Sequence, residues 1–157
     1  MSFELKDLKS AYLVYEKKYK LPSFKKVNGY FEIDKIDKEG DAFLRIVRKV
    51  GMEKIVNSLS FLDMLINPVN APPIYHSYIK GMSVDDRKTI DEIYKVLGTL
   101  SIESIGMELD YNEKEEAEFI IKLTKSWEDL KSKFKIIMDN MKKPNSLGER
   151  REKAYFG

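Results

Sequence analysis

The 157-residue chain contains no cysteine and no glutamine, and it has one histidine, His76. Without cysteine the chain cannot form disulfides, thiolate-ligated zinc sites, iron–sulfur clusters or thiol nucleophiles. A single histidine excludes any site that needs two imidazole groups from one chain. Scarce Cys, Gln and His combined with abundant Lys and Glu are typical of hyperthermophilic proteins, so we expect a prokaryotic protein of thermophile-like composition.

The sequence also has no long apolar run. Charged residues make up 34% of the chain, whereas a membrane-spanning helix needs about 20 predominantly apolar residues in succession. The segment Met1–Asp7 has neither the apolar core of a signal peptide nor the Arg-rich composition of a transit peptide. We therefore expect a cytoplasmic protein with no membrane partner.

Short motifs that hold nucleotides or metals are absent as well. The sequence has no phosphate-binding P-loop, no G-x-G-x-x-G, no G-x-S-x-G and no H-E-x-x-H. Its glycines are scattered singly, which is typical of helix ends and turns. We predict no cofactor, no metal-ligating residue and no catalytic residue from these patterns.

The clearest positive pattern predicts a long C-terminal helix over about 112–142. Its apolar residues recur at alternating spacings of 3 and 4, which places them on one helix face. They are Ile120, Leu123, Trp127, Leu130, Phe134, Ile137 and Met141. Asn112 is the expected N-cap, and we expect Trp127 and Phe134 to be mostly buried. The fold class that follows is mainly α, a single-domain helix bundle or irregular helical array.

Further helices are predicted along the rest of the chain. A stripe that includes Leu8 and Tyr12 indicates a helix over about 2–20. Asp41 is the expected N-cap of a second helix, which either continues through Gly51 or divides there. Residues 74–81 are expected to form one or two helical turns.

A helix that follows these turns is predicted to run from Ser83 to about Leu97. Ser83 and Asp86 resemble a capping box, in which each of two side chains accepts a hydrogen bond from the backbone N–H of the other residue. Gly98 suits the C-terminal cap of this helix.

Two segments fit both a strand and a helix. Around residues 24–34, Asn28-Gly29 between short apolar runs is typical of a hairpin turn, whereas Pro22-Ser23 favours the start of a short helix. Residues 104–111 alternate between apolar and polar side chains, which is a strand pattern. The two segments could therefore pair as a minimal two-stranded β element, or both could be helices and turns.

The domain prediction is one helical domain over 1–143 and a C-terminal tail over 144–157. The tail has little apolar material, but it ends in two adjacent aromatic residues and carries basic side chains. An anchor of this kind suits a pocket on a protein surface. The candidate interaction residues are Tyr155, Phe156, Arg150, Arg151, Lys142 and Lys143.

Three functions remain open on this sequence. The first is a non-enzymatic helical interaction or scaffold protein, with a protein partner or self-association through the end of the long helix or the tail. The second is a nucleic-acid-associated helical protein that uses Lys and Arg clusters, although the net charge of +2 gives no strong basic surplus. The third is a metal-dependent hydrolase that uses an acidic cluster, in which either Glu113 and Glu116 or Glu115 and Glu118 share one helix face. The cluster consists of Asp110, Glu113, Glu115, Glu116 and Glu118. His76 lacks a nucleophile or carboxylate at triad-like spacing, so we expect it to be a surface residue.

Overall fold

A computed structural model describes residues 5–37 and 42–143, and within them the chain is helical with no β-strand. The mainly α fold class is thereby confirmed. The helices are α1 (Leu5–Tyr19), α2 (Phe24–Phe31), α3 (Phe43–Ile66), α4 (Pro73–Gly81), α5 (Val84–Gly106) and α6 (Glu113–Met141), and short 3-10 turns lie at Ile33–Lys35 and Pro68–Asn70.

Residues 24–31 form a helix, so the hairpin alternative is wrong and the short-helix alternative is confirmed. The Ser23 side chain accepts a hydrogen bond from the Lys26 backbone N–H, which caps α2. The helix ends where Glu32 adopts a left-handed conformation, with φ 54°. Asn28 lies inside the helix, and its side-chain oxygen accepts a hydrogen bond from the Asp34 N–H at 2.8 Å. Asn28 therefore stabilises the exit from a helix and does not form a hairpin turn.

The strand alternative for 104–111 is also wrong. Helix α5 continues to Gly106 and is followed by turns, and Gly98 lies inside the helix where a C-cap was predicted. The burial pattern explains the difference, because Leu100 and Ser104 are buried while Ile102 and Ile105 are exposed. On a strand Ile102 would share the buried face of Leu100 and Ser104, whereas the buried residues Leu97, Leu100 and Ser104 follow the spacings of 3 and 4 of a helix.

Helix α3 passes through Gly51 without a break, so one of the two alternatives for this segment is confirmed. A Cβ atom placed on Gly51 would lie 2.8 Å from Cδ2 of Leu123 on α6. Glycine at this position therefore allows the α3 backbone to approach the α6 side chains closely. The expected N-cap of α3, Asp41, lies outside the described residues.

Helix α6 begins where it was predicted to begin, directly after Asn112. The Asn112 side chain accepts hydrogen bonds from the backbone N–H groups of Lys114 and Glu115, so Asn112 is the N-cap. The apolar stripe is buried at four of its positions. They are Ile120, Leu123, Leu130 and Ile137. Trp127 and Phe134 are only half-buried, so the prediction that both are mostly buried overstates their burial.

The chain divides into two compact units, each with its own apolar core. Unit 1 comprises the described parts of Met1–Val56 and Thr99–Glu128. Its buried side chains include Leu8, Tyr12, Phe31, Leu44, Ile55, Leu100, Phe119 and Leu123. Unit 2 comprises Asn57–Gly98 and the described part of the chain after Glu128. Its buried side chains include Leu62, Tyr78, Ile90, Ile93, Leu97, Leu130 and Ile137.

Unit 2 also contains a polar connection between three helices. The Tyr78 hydroxyl on α4 contacts Oδ2 of Asp86 at 3.4 Å, and the Asn140 side chain on α6 donates a hydrogen bond to Oδ1 of the same carboxylate at 2.9 Å. Ser83 accepts from the Asp86 N–H, as the predicted capping box requires, but the Asp86 side chain binds other helices and does not complete the box. Asp86 therefore joins α4, α5 and α6.

Candidate functional site

The carboxylates at the start of α6 are held by cations and a phenol of unit 1. Oε1 of Glu113 accepts hydrogen bonds from the Lys18 ammonium and the Tyr19 hydroxyl, each at 2.6 Å. These two donors keep the pKa of Glu113 below its usual range. Within residues 5–37 and 42–143, no group of three or more His, Asp or Glu side chains is placed to hold a metal ion.

Glu116, which forms one of the two predicted carboxylate pairs with Glu113, is buried in a salt bridge with Arg48 of α3. Nε of Arg48 lies 2.6 Å from Oε2 of Glu116, and each side chain is 1% exposed. Arg45 reaches Oε1 of the same carboxylate at 3.4 Å. Because burial of a charge is costly unless it is paired, both arginines stabilise the ionised carboxylate where it lies.

The same arginine binds the C-terminal end of α5. Nη1 of Arg48 donates to the Ser104 carbonyl at 3.1 Å and contacts its hydroxyl at 2.6 Å, while Nη2 lies 2.6 Å from Oε1 of Glu108. Arg45 donates to the Met107 carbonyl at 3.0 Å. Arg48 and Lys49 together keep the pKa of Glu108 below its usual range. The last turn of α5 is thus fixed from one side by two arginines.

On its other side, the same end of α5 presents an uncovered apolar surface. Ile102, Ile105 and Leu109 are 74%, 68% and 84% exposed, respectively. The spacing of three places Ile102 and Ile105 on one face of α5, and Leu109 is exposed in the turn that follows the helix. We call these three residues the α5 stripe. The sequence pattern left residues 104–111 open between a strand and a helix, so it did not predict this exposed surface.

The basic clusters of unit 1, at residues 17–20, 25–26 and 45–49, are partly paired with acidic side chains. Lys26 pairs with Glu128 at 2.9 Å and Lys49 with Glu108 at 3.1 Å, in addition to the pairs that Lys18, Arg45 and Arg48 make. Within the described residues Lys17, Lys20 and Lys25 form no salt bridge, so the pairing reduces the positive charge of these clusters without removing it.

The remaining predicted residues fall outside this site. His76 is exposed on α4, as expected of a surface residue. Lys142 and Lys143 are exposed just after α6. The candidate interaction residues of the tail lie outside the described residues. They are Arg150, Arg151, Tyr155 and Phe156.

A second surface feature lies in unit 2. A groove of about 280 Å³ is bounded by the end of α3 and by the first turns of α5 with the segment before it. Its lining residues are Leu65, Ile66, Met82, Val84, Arg87, Lys88, Ile90 and Asp91. We call this the unit 2 groove.

Comparison of the chain with protein-family models, curated proteins and solved structures gives no match. No helix in the described ranges is both long and apolar enough to cross a membrane.

Proposed function

We propose that this chain is a non-enzymatic interaction protein that associates with a second copy of itself through the α5 stripe. The observation that carries the proposal is the exposure of Ile102 and Ile105 on one face of α5 and of Leu109 in the turn after it, at a helix end that two arginines hold in place. Monomeric proteins rarely leave large contiguous apolar patches in water, and uncovered patches often mark protein contacts. A fixed helix end also loses little conformational freedom when a partner binds it.

The size of the α5 stripe implies a weak association. Full burial of one such side chain contributes about 1.5–3 kcal/mol, and two copies of the stripe would meet in a symmetric contact. Loss of translational and rotational freedom opposes this gain by about 4–15 kcal/mol. We therefore expect a dimer that dissociates in the high micromolar range or above, that is, near about −5 kcal/mol.

The ion pairs of unit 1 support this function over the two alternatives. A hydrolase would need carboxylates that are free to bind a metal ion, whereas Glu113 and Glu116 are bound by Lys18, Arg45 and Arg48. A nucleic-acid protein would need a strong surplus of cations, whereas the net charge is +2 and Lys18, Lys26 and Lys49 have carboxylate partners.

Sedimentation equilibrium over a range of protein concentrations tests the proposal. The wild-type mass should rise with concentration, and Ile105→Asp should remove this rise because a charge would be buried in the contact. The matched control is Val14→Asp on α1, where the native side chain is 63% exposed against 68% for Ile105. This control should associate as the wild type does.

Two results would contradict the proposal. One is a mass that stays monomeric at all concentrations, and the other is loss of association in Val14→Asp as well as in Ile105→Asp. A variant that lacks residues 145–157 tests the prediction made from the sequence for Tyr155 and Phe156. If this deletion abolishes association while Ile105→Asp does not, the contact involves the tail and the α5 stripe is not the site.

A further inference from the structure

The unit 2 groove combines an apolar floor with an exposed apolar rim. Leu65 and Ile90 are buried beneath it, whereas Ile66 and Val84 are 37% and 68% exposed. A volume of about 280 Å³ is at the lower end of the range for small-molecule pockets, about 300–1,000 Å³. The groove can therefore accept one large apolar side chain more readily than a complete cofactor.

One wall of the groove is positively charged. Arg87 and Lys88 line it, and within the described part of the chain neither forms a salt bridge. Arg87 donates one hydrogen bond to the Ile79 carbonyl at 3.3 Å, which leaves further guanidinium donors available. The acidic residue of the lining, Asp91, is 3.8 Å from Lys95 and pairs with neither wall cation.

The apolar floor and the positively charged wall together indicate which kind of ligand fits the groove. A carboxylate is the natural partner of an arginine, which binds both of its oxygens, and a lysine adds a second positive charge beside it. A purely anionic ligand would leave the apolar floor uncovered, and a purely apolar ligand would leave the cations unpaired. We propose that the unit 2 groove binds a peptide segment of another protein that carries a large apolar side chain next to Asp or Glu.

This second surface is independent of the α5 stripe. It is built from residues of unit 2, whereas the stripe belongs to unit 1. A protein with a self-association surface and a separate peptide-binding groove would act as a scaffold, since it could hold two copies of the same bound segment.

The experiment is selection from a random dodecapeptide library displayed on phage, with the full chain as bait. Enriched sequences should contain an aromatic or large aliphatic residue within two positions of Asp or Glu. One such peptide, fluorescently labelled, should bind in an anisotropy titration and should bind more weakly as salt concentration rises.

Matched variants locate the binding. Lys88→Ser should weaken binding of the selected peptide at least threefold, and Arg87→Ser at least tenfold because it also removes a bidentate donor. Lys80→Ser is the control, since Lys80 is an exposed lysine of α4 that does not line the groove. It removes the same charge and should change the affinity less than twofold. Thermal melting of each variant, followed by circular dichroism, checks that all of them are folded.

Four results would overturn the proposal: enrichment of no sequence, enrichment of basic sequences, equal weakening by Lys80→Ser and Lys88→Ser, or displacement of the peptide by single-stranded DNA. Using Ile105→Asp as a second bait separates this proposal from the self-association proposal. Peptide binding that persists in a monomeric Ile105→Asp protein supports the groove, whatever the outcome for the α5 stripe.

Discussion

Arg48 on α3 and Glu116 on α6 meet at 2.6 Å with both side chains 1% exposed. The pair is completed by Ser104 and Glu108 of α5 and its following turn, so that every side-chain nitrogen of Arg48 has an oxygen partner. Burial of such a pair has a large desolvation cost. Removal of one partner is strongly destabilising because it leaves an uncompensated charge in the core, whereas removal of both partners leaves no such charge.

We expect Glu116→Gln to lower the free energy of unfolding by about 3–5 kcal/mol, because it leaves Arg48 without its buried counter-charge. The matched control is Glu118→Gln, which disturbs only an exposed pair with Lys114 at 3.7 Å and should cost less than about 1 kcal/mol. Urea denaturation followed by circular dichroism measures both variants. Equal effects of the two substitutions would show that burial of the Glu116 charge is not what matters.

Substitution of alanine for two glycines inside helices should change the stability of the protein in opposite directions. At Gly98 an added Cβ meets no atom within 4 Å, so Gly98→Ala should stabilise the protein by about 0.4–1 kcal/mol. At Gly51 the added Cβ would lie 2.8 Å from Leu123 in a buried contact, and the overpacking cost of about 1–3 kcal/mol outweighs the helix-propensity gain. We expect Gly51→Ala to lower the melting temperature and Gly98→Ala to raise it. A rise in both would contradict the close approach at Gly51.

Truncation of the single tryptophan to alanine should lower the free energy of unfolding by less than truncation of a fully buried aromatic residue does. Trp127 is half-buried, with its ring centroid 6.4 Å from that of Phe31 and the Lys54 ammonium 5.2 Å above the ring. Trp127→Ala should therefore destabilise the protein by about 2 kcal/mol, below the 3–5 kcal/mol typical of fully buried aromatics. Chemical denaturation measures the loss. Unchanged stability together with lost self-association would instead place Trp127 in an interface.

The alkaline stability of unit 1 should depend on Tyr12. Burial, with a smaller contribution from Glu16, raises the pKa of the Tyr12 phenol far above its ordinary value of 10.0. Because the folded-state pKa is raised, the stabilisation is complete below pH 10 and is lost as the pH rises from 10 toward the folded-state value. We expect the free energy of unfolding to fall steeply above pH 10.

Tyr12→Phe provides the comparison for this alkaline transition. It removes the hydrogen bond from the hydroxyl to the Pro22 carbonyl, at 2.7 Å, and should cost about 1 kcal/mol at neutral pH. The variant should also lose less stability than the wild type above pH 10, since no buried phenol remains at this position to ionise. Identical alkaline slopes for the two proteins would rule out Tyr12 as a source of the transition.

Local signals account for the parts of the fold that were predicted correctly. Asn112 could be identified as an N-cap, and the α6 stripe as a helix face, because capping and helical periodicity involve residues within a few positions of each other. The end of α5 was predicted incorrectly because its apolar residues also fit a strand, and what selects the helix is contact with distant residues. Arg48 binds Ser104 and Glu116 across 56 and 68 positions of sequence, a relationship that no local pattern contains.

The two candidate surfaces also differ in how far they could be predicted from residues that are close in sequence. Part of the α5 stripe could have been predicted, since Ile102 and Ile105 lie three positions apart, as on one helix face. The unit 2 groove could not have been predicted, because its lining comes from two separate segments, 65–66 and 82–91, and depends on how α3 ends and α5 begins. Clusters of charged residues could be located in the sequence. Which cations pair with acidic side chains could not, because pairs such as Lys26 with Glu128 join residues that are distant in sequence.

The Arg48 cluster has a consequence for the order of events in folding. Its members are separated by 56, 60 and 68 residues, so its contacts close long loops and cannot form until α3, α5 and α6 have come together. Contacts that form after the rate-limiting step slow unfolding without accelerating folding. We expect Glu116→Gln to leave the refolding rate nearly unchanged and to increase the unfolding rate, so the cluster would govern how long each folded molecule persists.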